Sequence, residues 1–177
     1  CLRATGGRLV YALDDPAIHL SLADNLLRHG TWGVEPGQFE SASSSPLWTL
    51  LLAGWAAVAP NAGLGPLVLN AAAALAVVAV LGANQTVLRP SRRRPLDALA
   101  VAVLVTVVLF LPGLTVVGME HTLHMALVLG AVVLLHRRTE GERVRWPAWL
   151  PYALLALATL TRVETAFVGA GLAAAEL

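Results

Sequence analysis

The stretch LGPLVLNAAAALAVVAVLGANQTVL, Leu64 to Leu88, contains no charged side chain. A helix needs about 20 predominantly apolar residues to cross the hydrocarbon core of a bilayer, and this stretch is longer than that. We therefore predict that Leu64–Leu88 forms a membrane-spanning helix, and the rest of the chain is interpreted around it.

The whole chain shares this apolar character. Of its 177 residues, 57% are hydrophobic and 13% are charged, and the mean hydropathy is +0.71. Soluble domains carry more charge than this, so the composition predicts an integral membrane protein. All 12 basic residues are arginines, and the net charge of +1 gives no sign of a nucleic-acid partner. The one cysteine, Cys1, excludes an internal disulfide and a cysteine-based metal cluster.

Further apolar runs predict a multi-pass protein of the cell membrane. They are Leu96–Pro112, His121–Leu135, Trp149–Leu160 and the segment from Ala166 onward. The predicted fold class is all-α, a polytopic transmembrane helix bundle with juxtamembrane helices on the outer side. Residues 1–63 form the extracytoplasmic first loop, and residues 64–177 form the bundle. Because the chain lacks an initiator Met and stops inside an apolar run, we expect a fragment that is inactive alone.

Arginine-rich loops orient the predicted bundle. The loops LRPSRRRP, residues 88–95, and HRRTEGERVRW, residues 136–146, carry four arginines each. Short arginine-rich loops remain in the cytoplasm, and two predicted spans separate these loops, so the two assignments agree. The segments GLTVVGMEHT, residues 113–122, and TRVET, residues 161–165, then lie on the outer side, as does everything before Leu64.

An amphipathic helix is predicted early in the first loop. The apolar spacing covers Pro16–His29, and Asp24 and Arg28 form an i,i+4 pair. Asp15 is the expected N-cap, and Gly30 is the expected C-terminal stop.

A second, more apolar helix is predicted over Pro46–Ala59. Its about 14 residues are too few for a span and suit an interfacial or re-entrant segment. Trp48 and Trp55 are typical of a membrane interface, so we expect this helix to lie along the outer surface. Were it a span, the first 45 residues would lie in the cytoplasm.

Two adjacent carboxylates, Asp14 and Asp15, are the candidate catalytic residues. They can hold a divalent cation, or one can act as a general base on a substrate hydroxyl. A capping role explains Asp15 equally well, whereas Asp14 has no such structural role. His19 on the same helix joins the substrate-binding candidates.

Two more polar groups fall on the predicted outer side. Glu120 and His121, with His124 one helical turn later, can contact substrate, bind a metal or cap a helix. Arg162 runs against the positive-inside bias, so we expect an anion beside it. That anion is a phosphate, which a guanidinium binds with two parallel hydrogen bonds, or a carboxylate such as Glu164 or Glu120.

The segment FESASSSPLW adds Glu40 and the serines Ser43, Ser44 and Ser45 as candidates for hydrogen bonds to a polyhydroxylated ligand, with Glu40 and Ser44 taken as substrate-binding residues, although serine-rich segments are usually only loops. Each of these groups is a weak signal alone. The predicted topology brings all of them to one outer face, which suits a substrate that is itself held in lipid.

Four segments in order resemble the bacterial GT-C membrane glycosyltransferases, the superfamily of the protein O-mannosyltransferases and the actinobacterial arabinofuranosyl- and mannosyltransferases. The segments are DDPAIHLSLADNL, HGTWGVEPGQFESASSSPLWTLLLA, GMEHTLHMAL and LTRVETA. The resemblance covers Leu13 to Thr165. It implies a polyprenyl-phosphate sugar as donor, an extracytoplasmic glycan, lipid or protein as acceptor, and no certain cofactor beyond a divalent cation that some sites hold.

By this resemblance, Asp14 and Asp15 match the acidic motif of the first loop, where one carboxylate is the base of an inverting transfer. Glu120 matches the acidic position of the second outer loop. Arg162 and Glu164 match the basic and acidic pair of the third, which meets the donor phosphate.

Two departures leave the sugar open. Ala17 stands where many relatives have an aromatic residue, and SASSS replaces the EGYT that precedes PLW in some branches. The alternative hypothesis is a non-enzymatic multi-pass protein, either a transporter or an envelope-assembly subunit. Transporters usually carry polar groups near the bilayer midplane, whereas here charge collects at one face.

Overall fold

The computed structural model describes residues 10–11, 13–84, 103, 106–107, 110–141 and 146–175. Within these ranges the protein is all-α, as predicted. Its helices are α1 (Asp15–His29), α2 (Pro46–Val58), α3 (Gly65–Ala83), α4 (Leu111–Val117), α5 (His121–Thr139), α6 (Leu150–Thr161) and α7 (Thr165–Ala175), and a 3-10 turn, Ala62–Leu64, leads into α3.

Helix α1 confirms the predicted amphipathic helix and its C-terminal stop. Gly30 adopts the left-handed conformation, with φ of 63°, and its N–H donates to the carbonyl of Leu26. The predicted cap at Asp15 is wrong, because Asp15 is already helical. The preceding residue, Asp14, also has helical dihedrals and makes no side-chain capping bond. A capping side chain needs an extended backbone to reach the free N–H groups, so neither carboxylate is used as a cap.

Helix α2 packs between α1 and α6 and carries part of the core. Trp48 and Leu52 are fully buried and pack with Ala23 of α1. The use of Trp48 as a membrane-interface marker is therefore wrong, because its indole lies inside the protein. With 13 residues, the helix is about 20 Å long, well short of a bilayer core of about 30 Å.

Among the described residues, one helical stretch, Ala62–Ala83, is long and apolar enough to cross a membrane. It contains most of the predicted span Leu64–Leu88, and the rest of the protein covers only a minor part of its surface. The predicted run Leu96–Pro112 lies largely outside the described residues. Helices α5, α6 and α7 correspond to the other three predicted runs.

Helix α4 corrects the sequence analysis, which treated residues 113–122 as an outer loop. Pro112 lies in its first turn, where a missing N–H costs nothing. The helix packs against α3 and ends at Gly118, whose φ of 85° favours glycine. The apolar sequence LTVV therefore continues as helix up to the residues that precede α5.

Long-range hydrogen bonds bring the starts of α3 and α5 to the same end of the molecule. The Asn70 side chain on α3 donates to the carbonyl of Met119, just before α5, over 2.8 Å. The Tyr11 hydroxyl donates to the carbonyl of Gly63 over 2.7 Å. The Tyr11 ring also lies against Gly118, where a Cβ atom would come within 2.5 Å of it.

Helices α6 and α7 join the same end. His124 of α5 and Thr165 at the start of α7 are linked by a 2.6 Å hydrogen bond between Nε2 and Oγ1. At the opposite end, Arg138 of α5 donates to the carbonyl of Ala148, just before α6, over 2.7 Å. We call the first end, with the starts of α3, α5 and α7 and the end of α6, the polar end.

Candidate functional site

A buried carboxylate defines the polar end. The side chain of Glu120 is 1% exposed, and its Oε1 accepts a hydrogen bond from Nη1 of Arg162 over 3.2 Å. The other carboxylate oxygen, Oε2, is also buried and has no hydrogen-bond partner in the described part of the chain. An unpaired buried charge is strongly destabilising, so the ion pair with Arg162 compensates for the burial of the Glu120 carboxylate.

Arg162 holds a second carboxylate at the same time. Its Nη2 donates to Oε1 of Glu164 over 3.0 Å, and the side chain of Glu164 is 60% exposed. The pKa of Glu164 is lowered, first by a hydrogen bond from its own backbone N–H and further by the positive charge of Arg162. Both of the carboxylates that were predicted as alternatives to a phosphate beside Arg162, Glu120 and Glu164, are thus partners of Arg162.

An apolar groove begins beside this ion pair. It has a volume of about 490 Å³ and follows one face of α5. Met125, Val128 and Val132 line it at spacings of three and four residues, which places them on one side of the helix. Arg162 and His121 line its polar end. From His121 to Val132 the groove runs for about 16 Å along the helix.

His19 lies near enough to Glu120 to feel its negative charge. It is 3% exposed, and its Nδ1 lies 3.0 Å from Oγ1 of Thr49 on α2. Burial lowers the pKa of His19, although the negative charges of Glu120 and Asp15 act in the opposite direction. The imidazole is therefore neutral at pH 7 and joins α1 to the start of α2.

The two catalytic candidates are exposed, with Asp14 immediately before α1 and Asp15 as its first residue. Asp15 is near enough to His19 to affect its pKa, which links the acidic turn to the polar end. The described residues contain no group of three His, Cys, Asp or Glu side chains that could hold a metal ion. Within the described ranges, no third His, Cys, Asp or Glu side chain joins Asp14 and Asp15 in such a group.

The candidates of the serine-rich segment have different surroundings. Oε2 of Glu40 accepts the backbone N–H of Val34 over 3.1 Å and so closes the loop after α1. Ser44 is exposed. Oγ of Ser43, from the same predicted serine run, lies 3.1 Å from Oγ1 of Thr49 and extends the network around His19.

Sequence reasoning also missed buried polar groups on the helices. Thr122 is fully buried, and its Oγ1 has no partner among the described residues. The same is true of Oδ1 of Asn70, whose amide nitrogen is bonded to Met119. A single threonine or asparagine in an apolar run forms no periodic pattern. Because polar residues are rare in such runs, however, each one can be taken as a sign that its side chain faces the protein interior.

We predict that Arg162→Gln destabilises the protein by about 3 kcal/mol, because it leaves Glu120 buried without a counter-charge. We take the low end of the range for buried ion pairs because the side chain of Arg162 is one-third exposed. The double substitution Arg162→Gln with Glu120→Gln removes that buried charge and is expected to recover part of the loss. The unfolding midpoints of Arg162→Gln, Glu120→Gln and the double variant in detergent check this. If the double variant loses as much as the two single losses added together, the ion pair is not coupled.

We predict that acid destabilises the protein through His19. Its pKa in the folded protein is below the usual value of about 6.5, so the unfolded chain binds the proton more readily. The contribution of His19 to the free energy of unfolding is therefore fully present above pH of about 6.5, and it decreases as the pH falls below that value.

Thermal unfolding midpoints at pH 7.5 and 5.5 test this effect. The loss between the two should be smaller in His19→Gln than in the unmodified protein. His29→Gln, at an exposed position on the same helix, is the control and should leave the loss unchanged. An equal loss in the two variants would contradict the assignment.

Comparisons with protein-family models, with curated proteins and with solved structures find no match to this chain. The functional argument therefore depends on the geometry of the polar end. Its central features are a buried carboxylate, an arginine that bridges two carboxylates, and an apolar groove that begins at that arginine.

Proposed function

We propose that this protein is a multi-pass membrane glycosyltransferase. It transfers a sugar from a polyprenyl-phosphate donor to an acceptor on the extracytoplasmic side, with inversion at the anomeric carbon. The observation that carries this proposal is the position of Arg162, which is fixed to buried Glu120 at the polar end of an apolar groove.

Exposed apolar surface supports membrane embedding. The candidate span Ala62–Ala83 is mostly uncovered by the rest of the protein, and Leu75 on it is 71% exposed. Phe167 on α7 is 80% exposed. Contiguous apolar surface of this extent is unfavourable in water and favourable in a bilayer.

The shorter helices fit the same arrangement. Helix α2 is too short to span and, in this proposal, lies near the outer surface. Helix α6 is about 18 Å long, and Trp146 and Trp149 just before it are exposed. Tryptophans in this position suit the cytoplasmic interface, where they extend the apolar segment into the headgroup region.

The groove supports a lipid phosphate as the donor. A polyprenyl phosphate has an anionic head and a long apolar tail, and the groove has a cation at one end and aliphatic side chains below it. A guanidinium binds phosphate oxygens with parallel hydrogen bonds. The sugar is then held at the polar end, beside Glu120 and the acidic turn of α1.

In the proposed reaction, Asp14 or Asp15 accepts the proton of the acceptor hydroxyl as its oxygen attacks the anomeric carbon. The bond between that carbon and the phosphate oxygen breaks on the opposite face, and the electron pair leaves with the phosphate. Negative charge develops on the phosphate, so a cation already fixed by Glu120 stabilises the transition state without reorganising. The phosphate remains on the lipid. The resemblance to GT-C enzymes assigns the same roles to these residues.

We predict that an impermeant maleimide labels single cysteines at exposed Ser44 and Val163 in intact cells, with Cys1 replaced. Both positions lie on the proposed outer side. Glu140, exposed at the opposite end, should label as cysteine only after the cells are permeabilised. Equal labelling of all three positions in intact cells would contradict the multi-pass topology.

We predict that replacing both Asp14 and Asp15 with Asn abolishes sugar transfer by the full-length protein without lowering its unfolding midpoint. General-base catalysis contributes about 10²- to 10⁴-fold to the rate, so the loss should be at least 100-fold. Asp24→Asn, on the exposed face of the same helix, is the matched control. The assay uses polyprenyl-phosphate sugars in membranes, and an active double variant would exclude this mechanism.

A further inference from the structure

The two bonds of Arg162 differ in how easily they can be exchanged. Nη1 is bound to Glu120, whose carboxylate is 1% exposed and cannot move into water. Nη2 is bound to Glu164, whose side chain is 60% exposed and two residues away in the chain. The bond to Glu120 is therefore permanent, and the bond to Glu164 is open to replacement by another anion.

Charge balance favours this replacement for an anionic ligand. One guanidinium between two carboxylates leaves a net charge of −1, which repels a phosphate. Glu164 occupies Nη2, the nitrogen that is not bound to buried Glu120. A phosphate that binds Arg162 through Nη2 with parallel hydrogen bonds therefore competes with Glu164 for that nitrogen.

We propose that Glu164 is a built-in competitor for the phosphate site. It holds Arg162 in the empty protein, is displaced by the phosphate of a bound lipid, and returns when the lipid leaves. This inference rests on the proposed function, and it changes the expected role of Glu164 from a ligand contact to a group that exchanges with the ligand.

The competition matters most for the product. In the proposed reaction a phosphodiester donor becomes a phosphate monoester, which carries more negative charge and is bound more tightly by a guanidinium. When the carboxylate of Glu164 returns to Nη2, it competes with the phosphate monoester and favours release of this product. Glu164 thus lowers the affinity for the monoester.

The test measures binding of farnesyl phosphate to the purified full-length protein in detergent. Glu164→Gln keeps the size of the side chain and removes its charge. We expect it to bind farnesyl phosphate about 3- to 10-fold more tightly than the unmodified protein, since one nearby like charge is removed. Asp24→Asn also removes an exposed carboxylate paired with an arginine, and it should bind like the unmodified protein.

Two further ligands identify the source of the affinity. Farnesol lacks the phosphate, so its binding should be the same with and without Glu164. Inorganic phosphate lacks the tail and should bind both proteins more weakly than farnesyl phosphate does. If inorganic phosphate binds as tightly as farnesyl phosphate, the groove does not hold the lipid, and the inference fails.

Unchanged or weaker binding of farnesyl phosphate by Glu164→Gln would overturn the competitor role. Glu164→Ala is the second variant, and it should show the same gain if Glu164→Gln folds poorly. The binding assay needs no sugar transfer. A protein that fails to transfer sugar but shows the gain would therefore exclude the proposed function and leave this inference standing.

Discussion

The arrangement of the polar end depends on one constraint, which is that the carboxylate of Glu120 is buried. Removing a carboxylate from water costs several kcal/mol even after the protein relaxes, unless a counter-charge accompanies it. Arg162 supplies that charge from the end of α6, and the bond fixes the end of one helix against the start of another. The Asn70 bond to Met119 holds the preceding residue in place, so Glu120 is positioned from two directions.

The same constraint makes the site suitable for an anionic ligand. An arginine free in solution would have to be ordered each time a phosphate binds, whereas Arg162 is ordered in advance by a residue that the ligand does not touch. The entropy cost of ordering the guanidinium is therefore part of the free energy of folding and does not reduce the affinity for the ligand. Beside it, the groove along α5 is lined mostly by apolar side chains.

Much of the fold could be predicted from local patterns. The spacing of apolar residues in α1 and the glycine after it predicted the helix and its end, because both depend on residues within one or two turns. The cap at Asp15 and the loop at residues 113–122 were wrong, because they depend on backbone dihedrals and packing that the pattern does not contain. Trp48 was taken as an interface residue because an amphipathic ring suits both a membrane surface and a core.

The candidate site was predictable only in outline. The topology argument placed Glu120, Arg162 and Glu164 on one side of the predicted bundle, and these three residues do lie together. That Arg162 binds Glu120, and that His19 meets Thr49, follows from contacts across 42 and 30 residues of chain. Such contacts arise from helix packing, for which one sequence carries no pattern.

The separation between Glu120 and Arg162 also has a consequence for biosynthesis. Arg162 follows Glu120 by 42 residues, so the ribosome completes α5 well before the arginine exists. Until then the carboxylate has no arginine to pair with, and the start of α5 lacks the contact that joins it to the end of α6. We therefore expect the anion site to be completed only after α6 has been synthesised.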